Sequence, residues 1–254
     1  MQSIDINCDM GESFGDWTLG SDEALMELIS SANIACGFHA GDASIMRKTA
    51  SLAMQKGVAI GAHPGFLDLQ GFGRRNMHFT PQEVYDLCIY QIGAMLGTVK
   101  ALGGNLHHVK PHGALYNMAA KDANLAKAIA QATKDIQADL VLYGLSGSHL
   151  ITEAEKIGVK TASEVFADRT YQNDGSLTPR SQSNAMIADT ATAVSQVIMM
   201  IKKKVVISTE GIEVPIQAGT VCIHGDGKHA VGFAKALKNK VYSEGLTVKS
   251  RYNA

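Results

Sequence analysis

The sequence predicts one α/β domain of about seven parallel strands, each followed by a helix, which right-handed crossovers wind into a barrel or a doubly wound sheet. Three observations predict it. A unit of short apolar run, glycine-bearing polar loop and helical stretch occurs six times and is followed by a last strand and helix. No linker-like segment interrupts the series over 254 residues, a length that one α/β barrel commonly fills. Polar and ionisable residues gather just beyond the apolar runs, where the carboxyl ends of a parallel sheet all open on one face.

The first unit joins "SIDINCDMGE" to "DEALMELISS", whose Leu25, Leu28 and Ile29 share a helical face. In the second, "ANIACGFHAGD" leads to "ASIMRKTASLAMQKG", with a stripe of Ile45, Thr49, Leu52 and Ala53 that Gly57 ends. The third opens with "GVAIGAHPGFLDLQGFGRR" and reaches a strong helix start: Thr80 as cap, Pro81 at the first helical position and Glu83 at the third, with Gly103 and Gly104 as the stop. The fourth pairs "LHHVKPHGALYN", read as strand and loop, with the helix "DANLAKAIAQATKDI", and the fifth pairs "ADLVLYGLSGS" with "SHLITEAEKIG". The sixth runs from "VKTASEVFADRTY" through "QNDGSLTPRSQSN" to "AMIADTATAVSQVIMMIKKK", an amphipathic helix too mixed for a bilayer. The rhythm then changes. "KVVIST" and "IEVPIQ" predict a hairpin-like excursion near 205–220 before the last core strand "GTVCIHGDG" and the closing helix "AVGFAKALKNKVYSEG". Residues 1–254 are thus expected to form a single catalytic domain.

Composition narrows the function classes. Apolar residues make up 46% and charged residues 19%, a globular balance, and 23 basic against 24 acidic residues give a net charge of -1. That charge offers no general footprint for nucleic acid or a membrane surface, although one pocket can still hold a small anion. The opening "MQSIDINCDMG" reads as neither signal peptide nor membrane span. Cys8, Cys36, Cys88 and Cys222 are far apart with no CxxC pair, so reduced cytoplasmic thiols are expected instead of disulfides or a four-sulfur zinc site.

Just past the apolar runs stand Asn7, Asp9 and Glu12, then His39 and Asp42, then His63 and Asp68. Lys110 and His112 follow, then Ser146 and Ser148, then Glu164, Asp168 and Arg169, and finally His224 and Asp226. Singly, each has a structural reading: Asp9 as a turn cap, His39 as a loop donor, His63 before Pro64 as packing, His224 as a core histidine satisfied by Asp226. Together they are harder to explain so, because a merely structural rim has little reason to collect several imidazoles and carboxylates. Two chemistries fit. Asp9, His39 and His63 offer ligands for a divalent metal that polarises a carbonyl or generates hydroxide. Alternatively, Asp9 acts as a general base while the histidines and Lys110 steady an oxyanion without a metal. Arg74 and Arg75 in "GFGRRN" offer a planar fork for a carboxylate or phosphate, and the adjacent Asp168 and Arg169 order a wall. A Walker-type phosphate loop is absent from the sequence, which disfavours an autonomous ATPase of that kind, and "GLSGS" lacks the last glycine of a hydrolase nucleophile elbow, so Ser146 is a poor nucleophile.

Six long motifs in order, "IDINCDMGESFG", "SANIACGFHAGD", "GVAIGAHPGFLDLQGFGRR", "HHVKPHGALYN", "SEVFADRTY" and "CIHGDG", resemble those of the LamB/YcsF family. The resemblance runs from Ile4 to the closing helix. It implies a seven-stranded β/α barrel like those of the glycoside hydrolase/deacetylase superfamily. It further implies ATP-dependent opening of 5-oxo-L-proline to L-glutamate, with ATP as co-substrate, Mg2+ in the full complex, and 5-oxoprolinase subunits B and C as partners. Its motifs place Asp9, Glu12, His63, Lys110 and His112 at the chemistry, and Asn7, His39, Asp42, Arg74, Arg75, Glu164, Asp168, Arg169, His224 and Asp226 around the substrate. A stand-alone metal-dependent deacetylase or carbohydrate hydrolase, and a non-catalytic carbohydrate-binding protein, are the alternatives.

Overall fold

Alternation along β1 (Ser3–Met10) sets the plan of the molecule. Ile4, Ile6, Cys8 and Met10 join the apolar core under the helices, while Asp5, Asn7 and Asp9 reach side chains of other strands across the sheet interior. The computed structural model describes residues 2–223, 225 and 230–252. After β1 come α1 (Asp22–Met26), β2 (Ser31–Ala35), α2 (Ala43–Lys56), β3 (Ala59–His63), α3 (Pro81–Ala101) and β4 (Leu106–Val109). The chain continues with α4 (Gly113–Lys121), α5 (Ala123–Ile136), β5 (Val141–Leu145), α6 (His149–Lys156), β6 (Lys160–Phe166) and α7 (Thr190–Lys203). A hairpin of β7 (Val205–Ile207) and β8 (Glu213–Pro215) precedes β9 (Thr220–Ile223), α8 (Ala230–Ser243) and β10 (Thr247–Val248).

The parallel order β1-β2-β3-β4-β5-β6-β9 closes on itself, because β9 pairs with β6 on one side and with β1 on the other. The outcome is a seven-stranded barrel, and the doubly wound sheet is excluded. Closure leaves these strands without an open edge. β10, which the sequence pattern did not announce, adds to the start of β1 at Ser3 and Ile4, below the point where β9 takes over.

The helices follow local signals where those signals are strong. Asp42 caps α2 by accepting from Ser44 N and Ile45 N, and Gly57 ends it in the left-handed region at φ 66°, which favours glycine. Thr80 and Glu83 form the reciprocal capping box of α3. Weaker signals shift. α1 stops at Met26, leaving Leu28 and Ile29 beyond it. "GALYN" belongs to a separate helix, α4, because Asp122 both ends α4 and caps α5 through Asn124 N and Leu125 N. α7 starts only at Thr190, where Asp189 caps Thr192 N.

The barrel interior is polar. At its closed end Asp5 accepts hydrogen bonds from Ser30 Oγ (2.6 Å), Ser31 Oγ (2.7 Å) and Thr220 Oγ1 (2.6 Å). Above it, Asn33 Nδ2 donates to Asn7 Oδ1 (2.8 Å), and the His108 ring stacks on Tyr143 with centroids 4.2 Å apart and Nε2 2.8 Å from Asn33 Oδ1. Gly61 makes room for that imidazole: a Cβ there would stand 2.1 Å from His108 Nε2. These layers support the carboxyl ends of the strands, where the candidate site lies. All four cysteines are free and buried. Among the described residues no helix is long and apolar enough to cross a membrane.

Candidate active site

Lys110 is the electrostatic centre. Only 2% exposed, its Nζ lies 2.9 Å from Asp9 Oδ1, 2.9 Å from Glu164 Oε1, 3.2 Å from Asn7 Oδ1 and 3.1 Å from Cys222 Sγ. An ammonium has three N–H bonds, so these partners consume its donor capacity and leave it to organise the site from beneath. Burial works to lower its pKa, but the Asp9 and Glu164 carboxylates outweigh it and hold Lys110 well above the ordinary lysine value. Burial likewise works to raise the Asp9 pKa, and His63 and Lys110 overcome it, so that Asp9 stays well below the usual carboxylate range. Glu164 is fixed from the other side by Tyr116 Oη (2.7 Å) and Asn7 Nδ2 (3.0 Å).

Three histidines and Glu12 meet beside Asp9. The His63 Nδ1–H donates to the Lys110 carbonyl (2.6 Å), and the His112 Nε2–H donates to the Phe72 carbonyl (2.8 Å). A carbonyl can only accept, so in the neutral form of each ring the opposite nitrogens, His63 Nε2 and His112 Nδ1, carry the lone pairs. They face each other at 3.0 Å, with Asp9 Oδ2 3.4 Å from the first and Glu12 Oε1 3.8 Å from the second. His39 stacks on His112 at 3.7 Å and points Nε2 toward Glu12 Oε1 at 3.6 Å, and among the described residues neither of its ring nitrogens has a hydrogen-bond partner. Burial first, and then the neighbouring imidazoles, push His39 well below the ordinary histidine value; burial and His63 bring His112 down to about 3. Imidazole nitrogens and a carboxylate converging on one point fit a divalent cation, which takes histidine in its neutral form. Glu12, His39, His63 and His112 present donor atoms within 4.8 Å of one another. The two carbonyl bonds supply the outer support that orients histidine ligands.

The chain matches the LamB/YcsF family over residues 4–254. It belongs to that family. It is 60% identical over 250 residues to the A component of the 5-oxoprolinase of Geobacillus kaustophilus, covering 98% of this chain and 97% of the relative. It is also similar to the crystal structure of a lactam utilization protein from Thermus thermophilus, at 42% identity with a TM-score of 0.93, covering 98% of this chain and all of that one. A candidate cellobiose-phosphate cleavage protein of Enterococcus faecalis, at 14% identity and TM-score 0.57 over 98% of this chain and 97% of its own, shares the fold alone.

Around this LamB/YcsF centre opens a cleft of about 800 Å3, whose lining includes Asp9, His63, Arg74, Lys110, His112 and Arg169. The remaining expected residues fall elsewhere. Asn7 and Glu164 are fully buried beneath the cleft and hold Lys110. Asp42 is committed to capping α2 and to Gly15 N (2.9 Å), outside the lining. Arg75 pairs with Asp68 on an exposed loop, whereas its neighbour Arg74 lines the cleft and lies over the Phe72 ring. Asp168 is partly buried, with its carbonyl accepting from Ile187 N (2.8 Å), and is not among the lining residues. His224 and Asp226 lie outside the described residues. The rim reading passed over Asn33, Tyr116, Cys222 and, below them, His108. Their signal was parity: Asn33 and Cys222 occupy inward positions of their strands, but within apolar runs such residues read as ordinary core.

Proposed function

We propose that this chain performs the ring-opening step of an ATP-dependent 5-oxoprolinase, which converts 5-oxo-L-proline to L-glutamate. The observation that carries the reading is full-length kinship with a chain named for that enzyme. The cleft suits it, since partly exposed, ionised Asp9 stands there beside His63 and His112. A lactam resists water because resonance ties its nitrogen lone pair to the carbonyl. Phosphoryl transfer from ATP to the carbonyl oxygen gives an electrophilic imidate carbon. Water adds there, the ring C–N bond breaks as the nitrogen takes up a proton, and a second water converts the resulting acyl phosphate to glutamate and phosphate. ATP and two waters thus give glutamate, ADP and phosphate.

In this scheme subunits B and C provide ATP activation, with Mg2+ accompanying the nucleotide, and this chain handles the activated ring. Asp9 Oδ2 accepts a hydrogen bond from the attacking water and orients it. Its depressed pKa makes it a weak base, so its contribution is chiefly alignment and a fixed negative charge. Lys110 holds Asp9 in register, and Arg74 faces the substrate carboxylate. Glu12, His39, His63 and His112 would hold a divalent cation, which when bound lowers the pKa of water and polarises a carbonyl. The same cluster favours a second reading, a stand-alone metal-dependent deacetylase. Acetate release from N-acetylated sugars by the chain alone, abolished by a chelator, would establish it.

The test is reconstitution: the purified chain, both partners, ATP and 5-oxoproline, with glutamate as readout. Turnover is expected only with all partners present, and Asp9→Asn, by misaligning the water, should lower it by about 100-fold while the protein stays folded. Robust turnover by the chain alone would overturn the division of labour, and full activity in Asp9→Asn would remove Asp9 from the chemistry.

A further inference from the structure

The cleft exceeds the space that a five-membered lactam fills, and its β5/β6 side holds polar groups that the ring-opening scheme leaves unused. Ser146 N donates to Glu164 O (3.0 Å), so the turn after β5 and the segment after β6 rise side by side from paired strands. Ser148 precedes α6 in the capping position, yet its side chain caps nothing. It lines the cleft at 8% exposure, and its Oγ is buried with no hydrogen-bond partner among the described residues. The first amides of α6 therefore lack a side-chain cap next to an unused hydroxyl, an arrangement suited to anionic oxygens.

Arg169 is the second, independent observation. It lines the same cleft at 4% exposure. Its Nε and Nη2 donate to the carbonyls of Ala185 (3.2 Å) and Thr178 (2.5 Å). Among the described residues no carboxylate lies within ion-pair distance of its guanidinium. Burial lowers its pKa to about 10, which still leaves it charged near neutrality. A buried guanidinium hydrogen-bonded only to neutral carbonyls, with the Asp168 carboxylate acting on it from beyond ion-pair distance, has less counter-charge than buried cations normally have. Lys121 and Arg180 line this side as well. The nearby carboxylates are engaged, Asp122 by the amides of Asn124 and Leu125, and Asp174 by Ser176 N.

We propose that this side of the cleft is a phosphoryl subsite. Arg169, Ser148 Oγ and the first amides of α6 hold the phosphoryl group of a phosphorylated lactam whose ring lies against Asp9. Anion binding here stands on geometry alone, and the lactam as carrier of the phosphoryl group rests on the ring-opening reading.

The probe is inorganic phosphate, titrated into the purified full chain by calorimetry and by phosphorus NMR. The wild-type chain is expected to bind it, Arg169→Gln to weaken binding by about tenfold and Ser148→Ala by about fivefold, the losses due to a charged and a neutral hydrogen bond. Arg75→Gln, on the exposed loop, should bind as the wild type does. Should Arg169→Gln fail to fold, Ser148→Ala carries the same test. Absence of phosphate binding by the wild type, or unchanged affinity in Ser148→Ala, overturns the subsite even if the reconstituted complex opens the ring. Phosphate binding without ring opening would instead refute the ring-opening reading and leave the anion site standing. ADP binding more than about tenfold tighter than phosphate would reassign the site to a nucleotide and overturn the phosphorylated lactam.

Discussion

Replacing Lys110 with methionine removes one charge while keeping most of the side-chain volume, and it isolates the electrostatic core of the site. The wild-type ammonium lies 2.9 Å from each of two carboxylates, Asp9 and Glu164, of which Glu164 has no exposed side-chain surface. Removing one partner of a buried ion pair costs about 3–5 kcal/mol, because the other charge stays uncompensated. At about 2–4 °C per kcal/mol for a chain of this size, the melting temperature at pH 7 should fall by roughly 6–20 °C. The pH dependence gives a sharper check. In the wild type the folded Asp9 pKa lies below its unfolded value, so its stabilisation is present above about pH 3.9 and is lost as pH falls through the folded value. Without Lys110, desolvation is opposed by less positive charge and the folded Asp9 pKa rises. Once it exceeds the unfolded value, the sign inverts, and stability is lost as pH rises. Thermal melts of both proteins from pH 5 to 8 should therefore show a gap that widens with pH, and Glu164→Gln added to Lys110→Met should recover part of the loss. A gap of less than about 2 °C at every pH would refute the argument that Lys110 neutralises buried carboxylates.

Metal analysis of the purified chain should find a bound divalent ion, and His112→Ala should reduce its occupancy by at least about tenfold in equilibrium dialysis. Gly61→Ala forces a Cβ into the His108 ring and should cost about 1–3 kcal/mol or more in urea unfolding, as overpacking does. Thr80→Ala breaks the reciprocal cap of α3 and should cost about 1 kcal/mol in the same assay with turnover in the complex unchanged.

Much of the fold was legible because its signals are local. Thr80, Pro81 and Glu83 announce α3 through contacts within four residues, and Gly57 ends α2 through its own backbone angle. The hairpin of β7 and β8 follows from two short β-favouring runs around Glu210 and Gly211. Boundaries failed where a neighbour had the casting vote: Asp122 splits an alanine-rich stretch into α4 and α5, and β10 forms only because the foot of β1 lies open to it.

For the candidate site, the sequence determined which chemistry was available: carboxylates, imidazoles and cations in the last residues of the strands or in the loops that follow them. Only the tertiary structure decided which of them meet. Asp9 and Lys110 are 101 residues apart and share a 2.9 Å bond, whereas the adjacent Arg74 and Arg75 part company, one to the cleft and one to Asp68. Nor could spacing reveal that His63 Nε2 and His112 Nδ1 turn toward each other, since that depends on which distant carbonyl takes the proton of each ring's other nitrogen. Local order is written in short-range sterics and hydrogen bonds, but the charge state and direction of a buried group are set by whatever the closed barrel brings against it.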